Sequence, residues 1–295
     1  MIKNILITGA TGFLGTNLIK KLVDNKNFNI HGLVNKNIKK YPNKKNIKYI
    51  KADITNSKEL LKIKKNYDYI INFAGNIDHK NKIQTYNAHF KGLRNLLNVV
   101  NTKKLSLFIQ IGSSLEYGRK KSPHYENTKC KPVSYYGKAK LKSTQLIQKK
   151  LKNFIILRPY QVYGPNQKKN RLIPIIVNAC LKDRSFACTD GNQYRDFLYV
   201  DDFSELIFKA IKTKKKIKRG IYNIGFGKPL KVKSIINLII KKTKKGKPLF
   251  GKLKMRKEEL KVSYPKIHKI KKIFNWKPKI DIKSGLNKTI KFYAK

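Results

Sequence analysis

The chain has 295 residues, with 69 Lys or Arg against 16 Asp or Glu, a formal net charge of +53. That length makes one large domain or two closely joined ones, and 40% hydrophobic with 11% aromatic residues exclude a disordered polybasic tail. No apolar run approaches the roughly 18–20 residues of a membrane-spanning helix. The opening breaks into a glycine turn too early for a signal-peptide core. Cys130, Cys180 and Cys188, an odd count in no metal-like spacing, point to a reducing, cytoplasmic setting without a disulfide framework or zinc site.

In chain order, Lys3–Thr8 is an apolar run ending at glycine, and Phe13–Val23 has helical spacing of Leu14, Leu18, Ile19 and Leu22. Asn29–Val34 and Ile47–Lys51 read as strands, a polar-capped helix follows from Ser57, and Tyr69–Phe73 is a fourth strand. Ile83–Val100 predicts one long helix, Leu105–Ile111 a strand, Ser134–Leu151 a helix and Phe154–Leu157 a sixth strand. Such alternation means βαβ units and a parallel, doubly wound α/β sheet. After Arg158-Pro159 the pattern fragments. Short strands lie near Phe186 and Phe197–Val200, and helices near Asp202–Ile211, Lys233–Lys242 and Ser284–Tyr293. Residues 1–160, with returning segments near 197–225, form the expected dinucleotide-binding domain. Residues 161–295 form mainly a small substrate-binding lobe, laid on the carboxyl ends of the sheet.

Of the 69 basic residues 61 are Lys and only 8 are Arg, spread along the chain beside abundant Asn and Ile. This reads as A/T-rich codon bias rather than a nucleic-acid interface, which would cluster Arg for bidentate contacts. No zinc finger, RNP-type aromatic box or basic heptad is present, so no specific nucleic-acid partner is expected. The charge still steers anionic ligands inward.

Gly9, Gly12 and Gly15 follow the first strand with the spacing G-x-x-G-x-x-G, and Phe13 and Leu14 open the helix. Glycines there permit positive φ and close approach to a pyrophosphate, which the helix N-terminus attracts. The acidic residue expected about 20 residues further on is replaced by Asn35, followed by Lys36. With no carboxylate to repel a 2′-phosphate, this favours NADP(H) over NAD(H).

Beyond the fifth strand stand Ser113 and Ser114, and Tyr136 and Lys140 lie one helical turn apart at the start of the next helix. A cation beside a phenol favours phenolate, which suits Tyr136 as general acid and base. Ser113, at a strand end, is placed to hydrogen-bond the same reacting oxygen.

With these elements the chain resembles the extended short-chain dehydrogenase/reductase family, in particular its NAD(P)-dependent nucleotide-sugar epimerases, dehydratases and reductases. The resemblance runs over nearly the whole chain: Gly9/Gly12/Gly15, Lys51-Ala52-Asp53, Asn72-Phe73-Ala74-Gly75, Ser113 to Tyr117-Gly118, and Tyr136/Lys140. It continues through Leu157-Arg158-Pro159, Tyr163-Gly164-Pro165, Arg195-Asp196-Phe197, Val200-Asp201-Asp202 and Phe274-Asn275-Trp276-Lys277-Pro278. It implies a Rossmann-type fold, with Asp53 and Ile54 at the adenine and Phe73, Ala74 and Gly75 along the cofactor. Ser113 and Tyr136 would engage the sugar, Ser114 would stand beside it, and Lys140 would hold the nicotinamide ribose. Arg195 and Arg256 would hold the substrate's diphosphate.

Two departures matter. The dehydratases of the family place an acid soon after the serine or threonine, where this chain has Ser114 and Leu115, with Glu116 one later; this argues against 4,6-dehydration. His89 stands where the family often has Asn, and packing or capping is its simplest role. His79 and Cys130 read as ordinary loop residues, and Asp201-Asp202 as a helix cap rather than a metal pair. The expected function is reduction of an NDP-4-keto-6-deoxyhexose at C4 with NADPH. The alternative is a nucleotide-sugar 4-epimerase with retained NAD, and a remote third reading is a catalytically silent polyanion binder. Leu96 and Leu146 read as a second, partial apolar face, which predicts a homodimer through helices 83–100 and 134–151.

Overall fold

A computed structural model describes residues 1–35, 46–76, 81–213, 217–256 and 259–295. Lys36 and His79 lie outside the described residues. The strands are β1 (Lys3–Thr8), β2 (Phe28–Val34), β3 (Ile47–Lys51), β4 (Tyr69–Asn72), β5 (Leu107–Ile111), β6 (Phe154–Pro159), β7 (Gln161–Tyr163), β8 (Ser185–Ala187), β9 (Tyr194–Tyr199), β10 (Gly220–Ile224), β11 (Pro229–Lys231), β12 (Lys247–Leu249) and β13 (Val262–Ser263). The α-helices are α1 (Phe13–Leu22), α2 (Ser57–Leu60), α3 (Lys82–Tyr86), α4 (Gly92–Val99), α5 (Tyr135–Lys150), α6 (Leu172–Leu181), α7 (Val200–Lys212), α8 (Val232–Thr243), α9 (His268–Phe274) and α10 (Ile282–Tyr293).

The chain divides into two compact units, the first holding Met1–Gly118, Lys129–Arg158 and Ser204–Tyr222. It is built on a seven-stranded sheet in the order β10-β6-β5-β4-β1-β2-β3. Strands β1 to β6 pair in parallel. Such a sheet is covered on both faces, so its central strands are mainly apolar rather than alternating, while the edge strand β3 exposes Lys48 and Lys51. Ile5, Leu6 and Ile7 of β1 and Phe108 and Ile109 of β5 are all fully buried. The order reverses direction between β1 and β4, the place where open α/β sheets bind ligands at their carboxyl ends.

The long helix expected over 83–100 is broken by a π-turn at Asn87–Lys91 between α3 and α4. The wider turn admits one more residue than an α-helix and carries the buried His89. The second apolar face expected from Leu96 and Leu146 does not exist. Leu96 is fully buried with Leu93 and Val100, and Leu146 packs on the same core, with Ile147, Phe108 and Ile156. Apart from Tyr135, what α4 and α5 leave exposed is polar, including Arg94, Lys138, Lys142 and Lys149.

The second unit holds Arg119–Thr128, Pro159–Phe203 and Asn223–Lys295. In it β9 pairs with β7, β11 and β13, and β8 pairs with β12. Its core draws on α6, α8 and α10 through Ile173, Val177, Ile235, Ile239 and Leu286.

Candidate active site

In the first unit, Gly9 begins the turn after β1 at φ 63°. A Cβ there would lie 2.9 Å from Phe73 C and 3.0 Å from Ala74 N. A Cβ on Gly15 would stand 2.4 Å from Gly9 O and 2.8 Å from Ala10 Cα. These backbone contacts allow no side chain, so the loop is folded as tightly as glycine permits. Gly12 caps α1 with no side-chain hydrogen bond. The first N–H groups of this ten-residue helix therefore face outward over a glycine-lined turn, the arrangement that suits a pyrophosphate.

Asn35 is exposed at the end of β2. Asp53 is half-buried, and its Oδ1 accepts from the Thr55 N–H and hydroxyl, each at 2.8 Å. Ile54 is a core residue whose side chain packs on Gly92. The polar ends of β1, β4 and β5 form one buried chain of hydrogen bonds. Thr8 Oγ1 donates to Asn72 Oδ1 at 2.5 Å and accepts from the Ala74 N–H at 3.1 Å. Asn72 Nδ2 donates to Gln110 Oε1 at 2.9 Å, and Gln110 Nε2 donates to Ile111 O at 3.2 Å.

Ile111 O also accepts from Lys140 Nζ, at 2.7 Å. Lys140 lies on α5, which starts at the Ser134 cap, where Ser134 Oγ accepts from the Gly137 N–H. Gly137 lets the helix approach the serine turn, since a Cβ there would be 2.5 Å from Leu115 O. Tyr136 is half-buried, with Lys140 Nζ 5.7 Å from its ring centroid. Burial pulls the Lys140 ammonium down from 10.5 to about 8, against an opposing pull from Glu116. His89 packs edge-on against Tyr136, ring centroids 5.0 Å apart, and its Nε2 donates to Asn76 O at 3.0 Å.

Ser113 opens a 3₁₀ turn at Ser114–Tyr117 through a capping box. Its Oγ accepts from the Leu115 N–H, and its own N–H donates to Glu116 Oε1 at 2.8 Å. Glu116 Oε2 accepts from Thr144 Oγ1 at 2.8 Å and from Arg158 Nε and Nη2 at 3.1 and 2.7 Å. The Arg158 guanidinium lies 4.6 Å over the Tyr117 ring. Sequence spacing could not reveal this cluster, because Thr144 and Arg158 are 28 and 42 residues from Glu116. The Cys130 thiol is raised by burial, with Arg158 opposing, which leaves it a poor nucleophile.

In the second unit, Arg195 is buried on β9. Its Nη2 meets Glu259 Oε1 at 2.5 Å and its Nη1 donates to Tyr194 O at 2.7 Å. Arg256 is exposed, and its carbonyl accepts from the Glu259 N–H. Asp202 is not the helix cap expected. It lies inside α7, and its carboxylate accepts from the Lys279 and Ile280 N–H groups at 3.0 and 2.9 Å, fastening the segment after Trp276. Among the described residues no three His, Cys, Asp or Glu are grouped to hold an ion. No helix among the described residues is long and apolar enough to cross a membrane.

A doubly wound sheet with a bare glycine turn at its first helix is the build of a dinucleotide-binding enzyme. The family model described as "NAD dependent epimerase/dehydratase family" matches residues 5–225, and the chain belongs to that family. It is 30% identical over 314 residues to a putative UDP-glucose 4-epimerase of Methanocaldococcus jannaschii, covering 97% of each chain. It is 27% identical to human dTDP-D-glucose 4,6-dehydratase, covering 99% of this chain and 90% of that one. Among solved structures, the UDP-glucuronic acid 4-epimerase of Bacillus cereus, in complex with UDP-glucuronic acid and NAD, superposes with a TM-score of 0.86 at 26% identity, covering 98% of both.

Proposed function

We propose that the chain is a nucleotide-sugar 4-epimerase working with a retained NAD. The observation that carries this reading is the tyrosine–lysine helix docked on the serine turn beside a glycine cradle, in a chain whose relatives include 4-epimerases over nearly their full length. Those relatives favour the epimerase over the 4-ketoreductase that the sequence first points to.

Gly9, Gly12, Gly15 and the start of α1 would hold the cofactor's pyrophosphate. Phe13, Leu14, Asn35, Asp53, Ile54 and Phe73 to Gly75 would line the rest of its site. A bound nicotinamide would supply the acceptor and donor of the C4 hydride. Tyr136, as phenolate, takes the C4 hydroxyl proton as that carbon is oxidised. It gives the proton back when the ketone is reduced on the other face, so no reductant is consumed. Lys140 favours the phenolate, and Ser113, with Ser114 beside it, stabilises the oxygen. Arg195 and Arg256 take the substrate's diphosphate, for which a guanidinium fork is suited. A dehydratase needs a carboxylate free to move protons. Glu116, with both oxygens engaged inside the protein, does not supply one.

The test is the spectrum of purified protein for bound nicotinamide, followed by turnover of UDP-, dTDP-, CDP- and GDP-hexoses without added cofactor. C4 inversion with no net change in reduced nicotinamide is expected. Stoichiometric consumption of NADPH on a 4-keto sugar would establish the reductase and the NADP(H) preference that Asn35 favours. The chain also pairs as a homodimer through 83–100 and 134–151, where Ile83 and Tyr135 are exposed. Lysines on that face make pairing tighten as salt rises, and a monomer mass by light scattering at every ionic strength would exclude it.

A further inference from the structure

Acidic residues are scarce here, 16 against 69 basic. One of them is wholly enclosed beneath the serine turn. Of the ion pairs among the described residues, Glu116–Arg158 is the one with both side chains buried, 0% and 1% exposed. A buried ion pair loses much of its attraction to desolvation, and an apolar replacement is often as stable. Stability alone therefore does not account for its place.

Its geometry does. Oε1 holds the Ser113 backbone N–H, and Oε2 holds Thr144, one helical turn beyond Lys140 on α5, together with the end of β6 through Arg158. One carboxylate thus joins the strand-end serine to the helix that carries Tyr136 and Lys140. We infer that Glu116 is a positioning residue for Ser113, Tyr136 and Lys140, clamping the serine turn to α5. This rests on the assignment of those three residues to the reaction.

Among the described residues the charged and titratable groups around the cluster are few. Lys140 lies over Tyr136, and the Glu116 carboxylate acts on it electrostatically. Glu116 faces Arg158, with Tyr117 beneath the guanidinium and Cys130 beside it, and His89 backs Tyr136. Burial favours neutral Lys140, and Glu116 is the group that opposes it. Without that carboxylate Lys140 loses its proton at lower pH, and Tyr136 loses the cation that favours its phenolate.

The test uses three variants of the whole protein. Glu116→Gln removes the charge. Glu116→Gln with Arg158→Met removes the orphaned guanidinium as well, so a folded protein is obtained if the single variant fails. Thr144→Val cuts the tie to α5 and keeps the charge. Tyr136 ionisation is read as phenolate absorbance, each variant minus its own Tyr136→Phe derivative, with neither substrate nor cofactor present. In the charge-removed variants Tyr136 should ionise about one pH unit higher. The alkaline limb of their kcat profile should fall by a similar amount, with KM for the nucleotide sugar unchanged. If Lys140 now loses its proton one unit below about 8, its charged fraction at pH 8 drops from about half to about a tenth, roughly a fivefold loss of rate. Thr144→Val should leave the titration in place and lower kcat by about tenfold. An unmoved Tyr136 titration in the folded double variant overturns the inference. A titration that moves as expected, in a wild type that turns over no nucleotide sugar, supports the role of Glu116 and overturns the assigned reaction instead.

Discussion

Replacing Lys140 by Met should make the protein more stable and inactive. Lys140 is 4% exposed, and burial holds its ammonium at about 8, below the ordinary 10.5. That depression corresponds to about 3 kcal/mol against the folded state while the lysine is charged. Met fills a similar volume without the charge. It also gives up the bond to Ile111 O, a charge-assisted contact contributing about 1.5–2 kcal/mol. Ile111 O keeps the Gln110 donor, so no buried carbonyl is orphaned. The net gain at pH 7 is about 1 kcal/mol, a rise in Tm of about 2–4 °C for a protein of this size. The pH dependence separates this account from ordinary packing effects. The folded value is the lower one, so the cost is present in full below about 8. It is relieved as pH climbs toward the unfolded value of about 10.5, and wild-type stability rises relative to the variant over that window. Thermal unfolding of both proteins at pH 7 and pH 10 measures it. A variant less stable than wild type at pH 7, or a gap that is the same at both pH values, would refute the reasoning.

Tyr136→Phe keeps the ring that packs on His89 and removes the hydroxyl; kcat should drop about 10²–10⁴-fold with an unchanged melting curve, and near-wild-type turnover would rule out the proton transfer. Gly15→Ala forces a methyl against Gly9 O and Ala10; stability should fall by about 1–3 kcal/mol, with nicotinamide dinucleotide binding lost in a fluorescence titration. Lys36→Asp should weaken NADPH relative to NADH, because a carboxylate repels the 2′-phosphate; equal NADPH affinity in the variant makes Lys36 an ordinary surface lysine.

The sheet was legible because its central strands, such as β4, β5 and β6, are short, mainly apolar runs, the pattern a parallel sheet requires, while the edge strand β3 is only partly apolar. Tyr136 and Lys140 were legible because helix spacing alone puts them on one face. Less regular pieces were not. Helix α6, Leu-Ile-Pro-Ile-Ile-Val-Asn-Ala-Cys-Leu, is apolar nearly all round, so it has no period to read and its Pro174 looks like a breaker. Strands β7, β11, β12 and β13 are two or three residues long and carry no alternation. The π-turn was hidden because an added residue shifts the helical phase without leaving a composition signal. Asp202 looked like a cap because it begins a helix; its acceptors are used 77 and 78 residues away. Glu116 was noticed only as an acid standing one place late, since its partners come together only in the folded chain.

The hydrogen-bond chain across the strand ends constrains how this chain can change in sequence. From Thr8 to Asn72 to Gln110 every link donates in the same direction, and it ends on the carbonyl that Lys140 also binds. Reversing either amide would set acceptor against acceptor on its far side, Asn72 Oδ1 on Gln110 Oε1 or Gln110 Oε1 on Ile111 O, a buried mismatch. Thr8, Asn72 and Gln110 therefore form a single unit of inheritance. A substitution at one is tolerated when the next position changes to match its polarity, and a library randomised at all three should return matched sets, with single exchanges depleted.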